Sequence, residues 1–436
     1  MPLGTLKELC KERDVAIFGG GASGRAAAKL LEKVGIGYKF YSESGEPGFY
    51  RTFDAQTAKK HNLVVYSPAF KPSHKWLELA RENGLKTLCE PDIAAMVWNG
   101  KIYSITGTNG KTTLTSFLTH ALLLAGFDAF AAGNIGKPLS EFCAENWRKD
   151  NHSKIAVCEV SSFQSMKAEY FYSDALLWTN FAPDHLDWHT DMREYFWAKL
   201  RLTELLKNNV LYVGKSVATY AADHGIALQP FAHIVDFGEH FKAPAPFDSP
   251  VQRENYMLAR SFWLGLGLEE KILEKAAETF ELAQFRFGET YEKDGVRFMN
   301  DSKATNAHAA IAALNALRNE CVIWIGGGKN KFCDNAELVE AVKSTARGAF
   351  LIGQTAQELK ANLTNGLKNG AEICNSLEDA VVKAANMAVK EGEACKKSPV
   401  VLFSPGFSSF GMFESYSHRG KVFKSSVLGL KNLKIQ

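Results

Sequence analysis

The chain has 436 residues, with 51 lysines and arginines against 48 aspartates and glutamates and a net charge of only +3. Such a length allows about three domains of roughly 150 residues, and the near-balance of charge argues against an extended nucleic-acid surface. Its eight cysteines include no C-x-x-C pair, which points to free thiols in a reducing cytosol and away from structural zinc.

The opening residues, "MPLGTLKELCKERDVAIFGGG", lack the apolar stretch of a signal peptide, so a cytoplasmic protein is expected. The β-rich run 14–19 leads into "FGGGASGRAAAKLLEKVG", which fits G-x-G-x-x-G through Gly19, Gly21 and Gly24 between a strand and a helix. Such a turn brings backbone N–H groups and a helix N-terminus to a phosphate. Glu43 falls where a dehydrogenase would carry its ribose-binding acid. Any nucleotide diphosphate could use the turn, however, and a glycine turn that only lets the helix pack closely reads the same.

Strand-like runs follow at 62–67 and 101–107, and the second ends in "SITGTNGKTTL", Ser104 to Leu114. The general phosphate-loop pattern would place its first glycine at 105, where Ile105 stands; the glycine is at 107. Since Gly-Lys-Thr and the helix start are intact, the loop is compact and not broken. Lys111 can reach phosphate oxygens and the Thr112 hydroxyl can ligate magnesium. Beyond it, "ALLLAGFDAFAAG" is interrupted by Asp128 short of a membrane span, so no membrane insertion is expected.

Runs at 154–160 and 175–181 end in Glu159 and in "NFAPDHLDWH", which sets Asp184, His185, Asp187 and His189 on a loop. Loops at the carboxyl ends of parallel strands form the ligand crevice, so these groups are expected to converge on the loop near 110. A turn or cap is the plainer reading of Asp187 and His189. A helical passage at 251–280 precedes a late series of strands at 296–301, 321–328, 349–353 and 399–406. "MNDSKATNAHAA" sets Asp301, Lys303, Thr305 and Asn306 where a strand yields to a helix, either as caps or as ligands. "GGGKNKF" and "FSPGFSSFGMF" repeat that arrangement, which makes a second ligand face. The tail from His418, with Arg419, Lys421, Lys424, Lys431 and Lys434, reads as a solvated helix.

The alternation predicts an α/β protein of three domains, each a mainly parallel sheet flanked by helices. Residues 1–90 are expected to be Rossmann-like, 91–281 a central P-loop ATPase-like domain, and 282–436 a C-terminal Rossmann-like domain. From the residues alone this is an ATP and magnesium enzyme with a further anion or nucleotide site in front. Phosphoryl transfer, ATP-driven ligation and a mechanical NTPase all stay open.

"TGTNGKTT" resembles the compact phosphate loop of the Mur ligase family, shared with the folylpolyglutamate synthases. "AAGNIGKPL", "EVSSFQ", "NFAPDHLDWH", "NDSKATN" and "SPGFSSFGMFESYSHRG" extend the resemblance over nearly the whole chain, and "NDSKATN" is similar to the turn of the D-glutamate-adding branch. The resemblance implies ADP-forming addition of D-glutamate to UDP-N-acetylmuramoyl-L-alanine through an acyl phosphate, in cytoplasmic peptidoglycan precursor synthesis, by a monomer. Another Mur-type or a folylpolyglutamate-type amide ligase is the alternative.

The resemblance also implies a set of site residues. ATP would be held by Gly107, Thr108, Asn109, Gly110, Lys111, Thr112 and Thr113, with Asn255, Arg286 and Asp301. Two magnesium ions are implied, Thr112 and Glu159 on one and His185 on the other, with Lys199 carbamylated into a metal ligand. Composition alone reads Lys199 as a solvated helix lysine. Lys111, Glu159, His185 and Lys199 would be the catalytic set. Gly21, Ala22, Ser23 and Ser67 would bind uridine diphosphate, and Asn134, Ser161 and Gln164 the sugar-peptide part. Lys303, Thr305, Lys331, Ser409, Phe410 and Tyr416 would surround D-glutamate. Ser42, Leu258, Phe285 and Gly411 depart from the residues common in that family.

Overall fold

Strands alternate with helices to give three sheets in the computed structural model, which describes residues 2–134, 136–236, 241–288 and 290–430. The first sheet comprises β1 (Val15–Phe18), β2 (Tyr38–Tyr41), β3 (Leu63–Tyr66) and β4 (Lys86–Cys89), ordered β2-β1-β3-β4 and parallel throughout. The second comprises β5 (Lys101–Thr106), β6 (Ala129–Gly133), β7 (Ile155–Glu159), β8 (Ala175–Trp178), β9 (Leu211–Gly214) and β10 (Ala232–Val235). Its order is β10-β9-β8-β5-β7-β6, again parallel. The third comprises β11 (Thr290–Lys293), β12 (Val296–Asn300), β13 (Cys321–Gly326), β14 (Ala346–Leu351), β15 (Ala371–Ile373) and β16 (Pro399–Phe403). It runs β11-β12-β16-β13-β14-β15, with only the β11–β12 pairing antiparallel.

Helices cover both faces of these sheets, which is why the inner strands read as unbroken apolar runs. In β1, Val15 and Ile17 enter one core cluster while Ala16 and Phe18 enter another. In β13, Val322 and Trp324 pack on one face, Ile323 and Ile325 on the other. Both follow the two-residue side-chain period.

The chain forms two compact units. The first holds residues 1–181, 191–241 and 256–277, and the second holds 182–190, 242–255 and 278–436. Within the first unit one apolar cluster runs under both of its sheets, with Leu30 and Leu31 of helix Ala22–Lys33 beside Ile93, Leu139 and Cys143. Two buried acids sit at that joint. Glu90 accepts the Ser140 N–H at 2.6 Å, and Asp92 accepts those of Glu169 and Tyr170 at 2.9 and 2.8 Å. Burial pushes Glu90 up to about 7 and Asp92 up to about 6.

One expectation about the tail is corrected. Its residues do form a helix, Tyr416–Gly429, but Arg419 is buried and not solvated, at 1% exposure. The Arg419 guanidinium donates to Ser302 Oγ at 3.1 Å, Ser302 O at 2.8 Å and Phe407 O at 3.0 Å. An arginine can be buried when its planar fork finds acceptors at fixed geometry, as here. Lys431 and Lys434 lie outside the described residues. Among the described residues no helix is long and apolar enough to cross a membrane.

Candidate active site

In the first unit β5 runs into the loop at 107–110 and then into helix Lys111–Leu124. Gly107 has φ +144° and Gly110 φ +82°, both in the region that favours glycine. No side chain of Gly110 caps the helix, and a helix N-terminus of this kind favours an anion. The loop is held from behind by β8. Asn180 accepts the Thr108 N–H on its carbonyl at 3.0 Å and the Asn109 N–H on Oδ1 at 2.8 Å. The Thr179 hydroxyl donates to Asn109 O at 2.6 Å, and the Thr108 and Tyr195 hydroxyls lie 3.2 Å apart. Sequence reasoning missed Thr179, Asn180 and Tyr195, because bracing residues carry no motif of their own.

A methyl group at Gly107 would lie 1.9 Å from Thr179 Oγ1. Gly107→Ala is therefore expected to displace Thr179, destabilise the protein by about 2–3 kcal/mol, and raise the KM for ATP. Thermal denaturation and initial-rate kinetics check both effects.

The Lys111 ammonium donates to the carbonyls of Gly107 and Thr108, each at 2.9 Å. Lys199 donates to the same Gly107 carbonyl at 2.9 Å and lies 4.8 Å from the Tyr195 ring. Two cations thus share one carbonyl. The composition-based reading of Lys199 as solvated is corrected, since it is 1% exposed on helix Met192–Leu200. Packing of the helix on the sheet turns that lysine inward.

Glu159, at the end of β7 and 3% exposed, accepts from Thr112 Oγ1 on Oε2 and from Asn134 Nδ2 on Oε1, both at 2.9 Å. Thr112, Glu159 and Asn134 are therefore brought together, with Thr113 buried in the helix behind them. Ser161 and Gln164 bond each other. Gln164 Oε1 accepts from the Ser161 N–H and hydroxyl at 3.0 Å, a capping box on a short helix.

At the first glycine turn, Gly21 precedes helix Ala22–Lys33 with no side-chain cap, and the space beside it is open. A methyl at Gly24 would lie 2.0 Å from Gly19 O, so the third glycine serves close helix packing. Ala22 and Ser23 open the helix, and Ser67, just after β3, adjoins Gly19. Glu43 is drawn to Lys75 at 2.7 Å and His74 at 3.5 Å.

The second unit carries the other expected residues. Asp184, 3% exposed, accepts from Lys331 Nζ at 2.6 Å and Asn306 Nδ2 at 2.9 Å, with His185 Nε2 at 3.6 Å. Burial alone would raise its pKa, but His185, Lys331 and Asn306 together hold it well below the usual carboxylate range. Asp184 and Lys331 line a cavity of about 10 Å³ with Thr305, Cys333, Asn335 and Phe407. The Lys329 N–H donates to Ser408 O at 2.9 Å, which ties the two polar loops together. Ser409 is buried beside an exposed Phe410, and the Lys303 ammonium lies 3.8 Å from the Tyr416 ring. Phe285 packs its ring against Gly420, and its carbonyl accepts the Lys303 N–H at 2.9 Å, next to Arg286. Asn255 Nδ2 donates to Gln252 Oε1 at 3.0 Å. The His189 N–H donates to His185 O at 2.9 Å, which supports the turn reading of this segment.

Asp301 is buried after β12 and accepts from Ser404 Oγ at 2.8 Å. Burial pushes it up to about 7, partly offset by the Ser404 hydroxyl, the Phe287 N–H and the Arg286 and Arg419 charges. An acid with a raised folded pKa binds its proton more tightly when folded, so its contribution is favourable in acid. That contribution is lost as pH climbs from about 4, the unfolded value, to about 7. Asp301→Asn should therefore gain stability over the wild type as pH rises, with a larger difference at about pH 7.5 than at about pH 5 in urea unfolding.

Residues 105–314 match the family described as Mur ligase middle domain, and residues 286–405 match Mur ligase, glutamate ligase domain. The UDP-N-acetylmuramoylalanine--D-glutamate ligase of Aquifex aeolicus (strain VF5) is 33% identical over 425 residues, covering 94% of this chain and 97% of the relative. The protein of the same name from Caldicellulosiruptor bescii is 30% identical over 466 residues, covering 96% and 98%. Among solved structures, UDP-N-acetylmuramate-alanine ligase from Thermotoga maritima aligns over 96% of this chain and 100% of its own, with TM-score 0.58 at 15% identity. MurF ligase from Thermotoga maritima, in complex with ADP, aligns over 95% and 94%, with TM-score 0.57 at 14% identity. At such identities those two likenesses are of fold alone. With relatives matched over nearly their full length, this chain belongs to the Mur ligase family.

Proposed function

We propose that this chain is an ATP-dependent, ADP-forming ligase that adds D-glutamate to UDP-N-acetylmuramoyl-L-alanine in cytoplasmic peptidoglycan precursor synthesis. The observation that carries the reading is the compact loop on which Lys111 and Lys199 meet at Gly107 O, beside Thr112 hydrogen-bonded to Glu159. The names of the relatives supply the acceptor and the amino acid. A three-domain division at 1–90, 91–281 and 282–436 goes with it, the first binding uridine diphosphate at Gly21, Ala22, Ser23 and Ser67.

The chemistry required is activation of a carboxylate, whose oxygen leaves poorly from an attacked carbonyl. The alanyl carboxylate attacks the γ-phosphate of ATP, ADP leaves, and the D-glutamate amine then displaces phosphate from the acyl phosphate. Lys111 orients the β and γ phosphates, while the N-terminus of helix Lys111–Leu124 receives the phosphate chain. Thr112 and Glu159 fit magnesium, a hard ion usually held by one or two protein oxygens plus phosphates. Bound there, it would neutralise charge on the transferred phosphoryl group. Among the described residues no three His, Cys, Asp or Glu side chains gather to hold a metal unaided, which suits an ion that arrives with ATP. His185 is the candidate ligand for a second ion, and carbamylation would turn Lys199 from cation to carboxylate. Asn134, Ser161 and Gln164 face the sugar-peptide part; Asn255, Arg286 and Asp301 serve ATP. Lys303, Thr305, Lys331, Ser409, Phe410 and Tyr416 receive D-glutamate, whose two carboxylates suit lysines.

Labelling the alanyl carboxylate with ¹⁸O tests the reading. One labelled oxygen should appear in the released phosphate for each amide formed. Unlabelled phosphate with normal product formation would rule out the acyl phosphate.

A further inference from the structure

In the second unit the sulfur atoms of Cys321 and Cys395 stand 3.1 Å apart, although the residues are 74 positions apart in the chain. Cys321 opens β13 and is buried; Cys395 ends helix Leu377–Cys395 and is half-exposed. Cys321 pairs in register with Pro399, the first residue of β16, so the thiols lie at the amino end of the sheet. The expected ligand residues follow the carboxyl ends of the same strands. Immediately after Cys395 the chain turns at Lys396, with φ +55°, beside an open groove of about 820 Å³ lined by Gly392, Lys396, Ser398 and Pro399. A small molecule can therefore approach this corner from solvent. Burial, with the neighbouring sulfur, pushes the Cys321 thiol above its ordinary range, so the half-exposed Cys395 is the one to react first.

We propose that Cys321 and Cys395 form a dithiol oxidation site, which a small-molecule disulfide closes into an intrachain disulfide and a thiol reductant reopens. Cys395 gives its proton to solvent and attacks one sulfur of the oxidant. The oxidant's S–S bond breaks, and its other half leaves as a thiolate that solvent protonates. Cys321 then gives up its proton and attacks Cys395 Sγ, forming the intrachain bond and expelling the second half as a thiol. Two protein thiols lose two electrons and one small disulfide becomes two thiols. The bond would close a long loop in the unfolded chain and so favour the folded state.

Oxidised glutathione is the probe. After incubation, acid quenching and unfolding, the wild type should have lost two of its eight thiols, and a tryptic map should join the Cys321 peptide to the Cys395 peptide. The oxidised protein should melt at a higher temperature, and dithiothreitol should restore both thiols. Cys321→Ser should hold glutathione on Cys395 as a lasting mixed disulfide, whereas Cys395→Ser should leave Cys321 unmodified. Glutathione retained on Cys395 of the wild type, a joined pair involving other cysteines, or no thiol loss would each overturn the proposal.

Discussion

Replacing Glu159 with glutamine is expected to slow ligation about a thousandfold, a barrier increase of about 4 kcal/mol, with little change in melting temperature. The two effects separate because of the local bonding. Glu159 accepts one hydrogen bond on each oxygen, from Thr112 and from Asn134. A glutamine keeps one carbonyl oxygen for Asn134, and the Thr112 hydroxyl can rotate to accept from the new amide. The fold should therefore lose about 1 kcal/mol or less, but the negative charge that would neutralise magnesium is gone. The magnesium concentration giving half-maximal rate should rise as well. A variant with unaltered rate and unaltered metal dependence would remove Glu159 from the site.

Lys331→Met should act on the amino acid and not on the nucleotide. The substitution conserves length and removes the ammonium, leaving Asp184 with Asn306 and His185 only. Breaking a buried pair in this way costs about 3 kcal/mol, which should appear as a lower melting temperature. If Lys331 also receives a carboxylate of D-glutamate, the KM for D-glutamate should rise about a hundredfold, while that for ATP stays within about twofold. Equal increases in both would mean that the lysine supports the unit in general. Steady-state kinetics with each substrate varied in turn distinguish the two.

What was legible in the sequence depended on how much of a residue's role is local. The inner strands β1, β3, β5, β7, β8, β13 and β16 are apolar runs covered on both faces, and each was readable. Most unrecognised strands lie at sheet edges: β2, β4, β6, β10, β11 and β15. Edge strands are short and partly polar, such as "YKFY" and "TYEK", because one side faces solvent or a loop. The same distinction holds at the site. Gly107, Lys111 and Thr112 declare themselves through a motif, whereas Thr179 and Asn180 reach the loop only because β8 pairs with β5. Arg419 was misread for the reverse reason. Its charge suggests solvent, but its acceptors are Phe407, twelve positions back beyond the helix, and Ser302, 117 positions away. No local pattern announces them.

The measurement that bears most directly on the function is phosphate release by the purified protein with ATP, magnesium and UDP-N-acetylmuramoyl-L-alanine. D-glutamate, L-glutamate, L-lysine or no amino acid is supplied in turn. Release that requires both the UDP-sugar and D-glutamate, with one glutamyl residue added to the product by mass, is the expected result. Release supported by another amino acid, or indifferent to the UDP-sugar, would contradict the assignment of the acceptor sites while leaving the nucleotide loop in place.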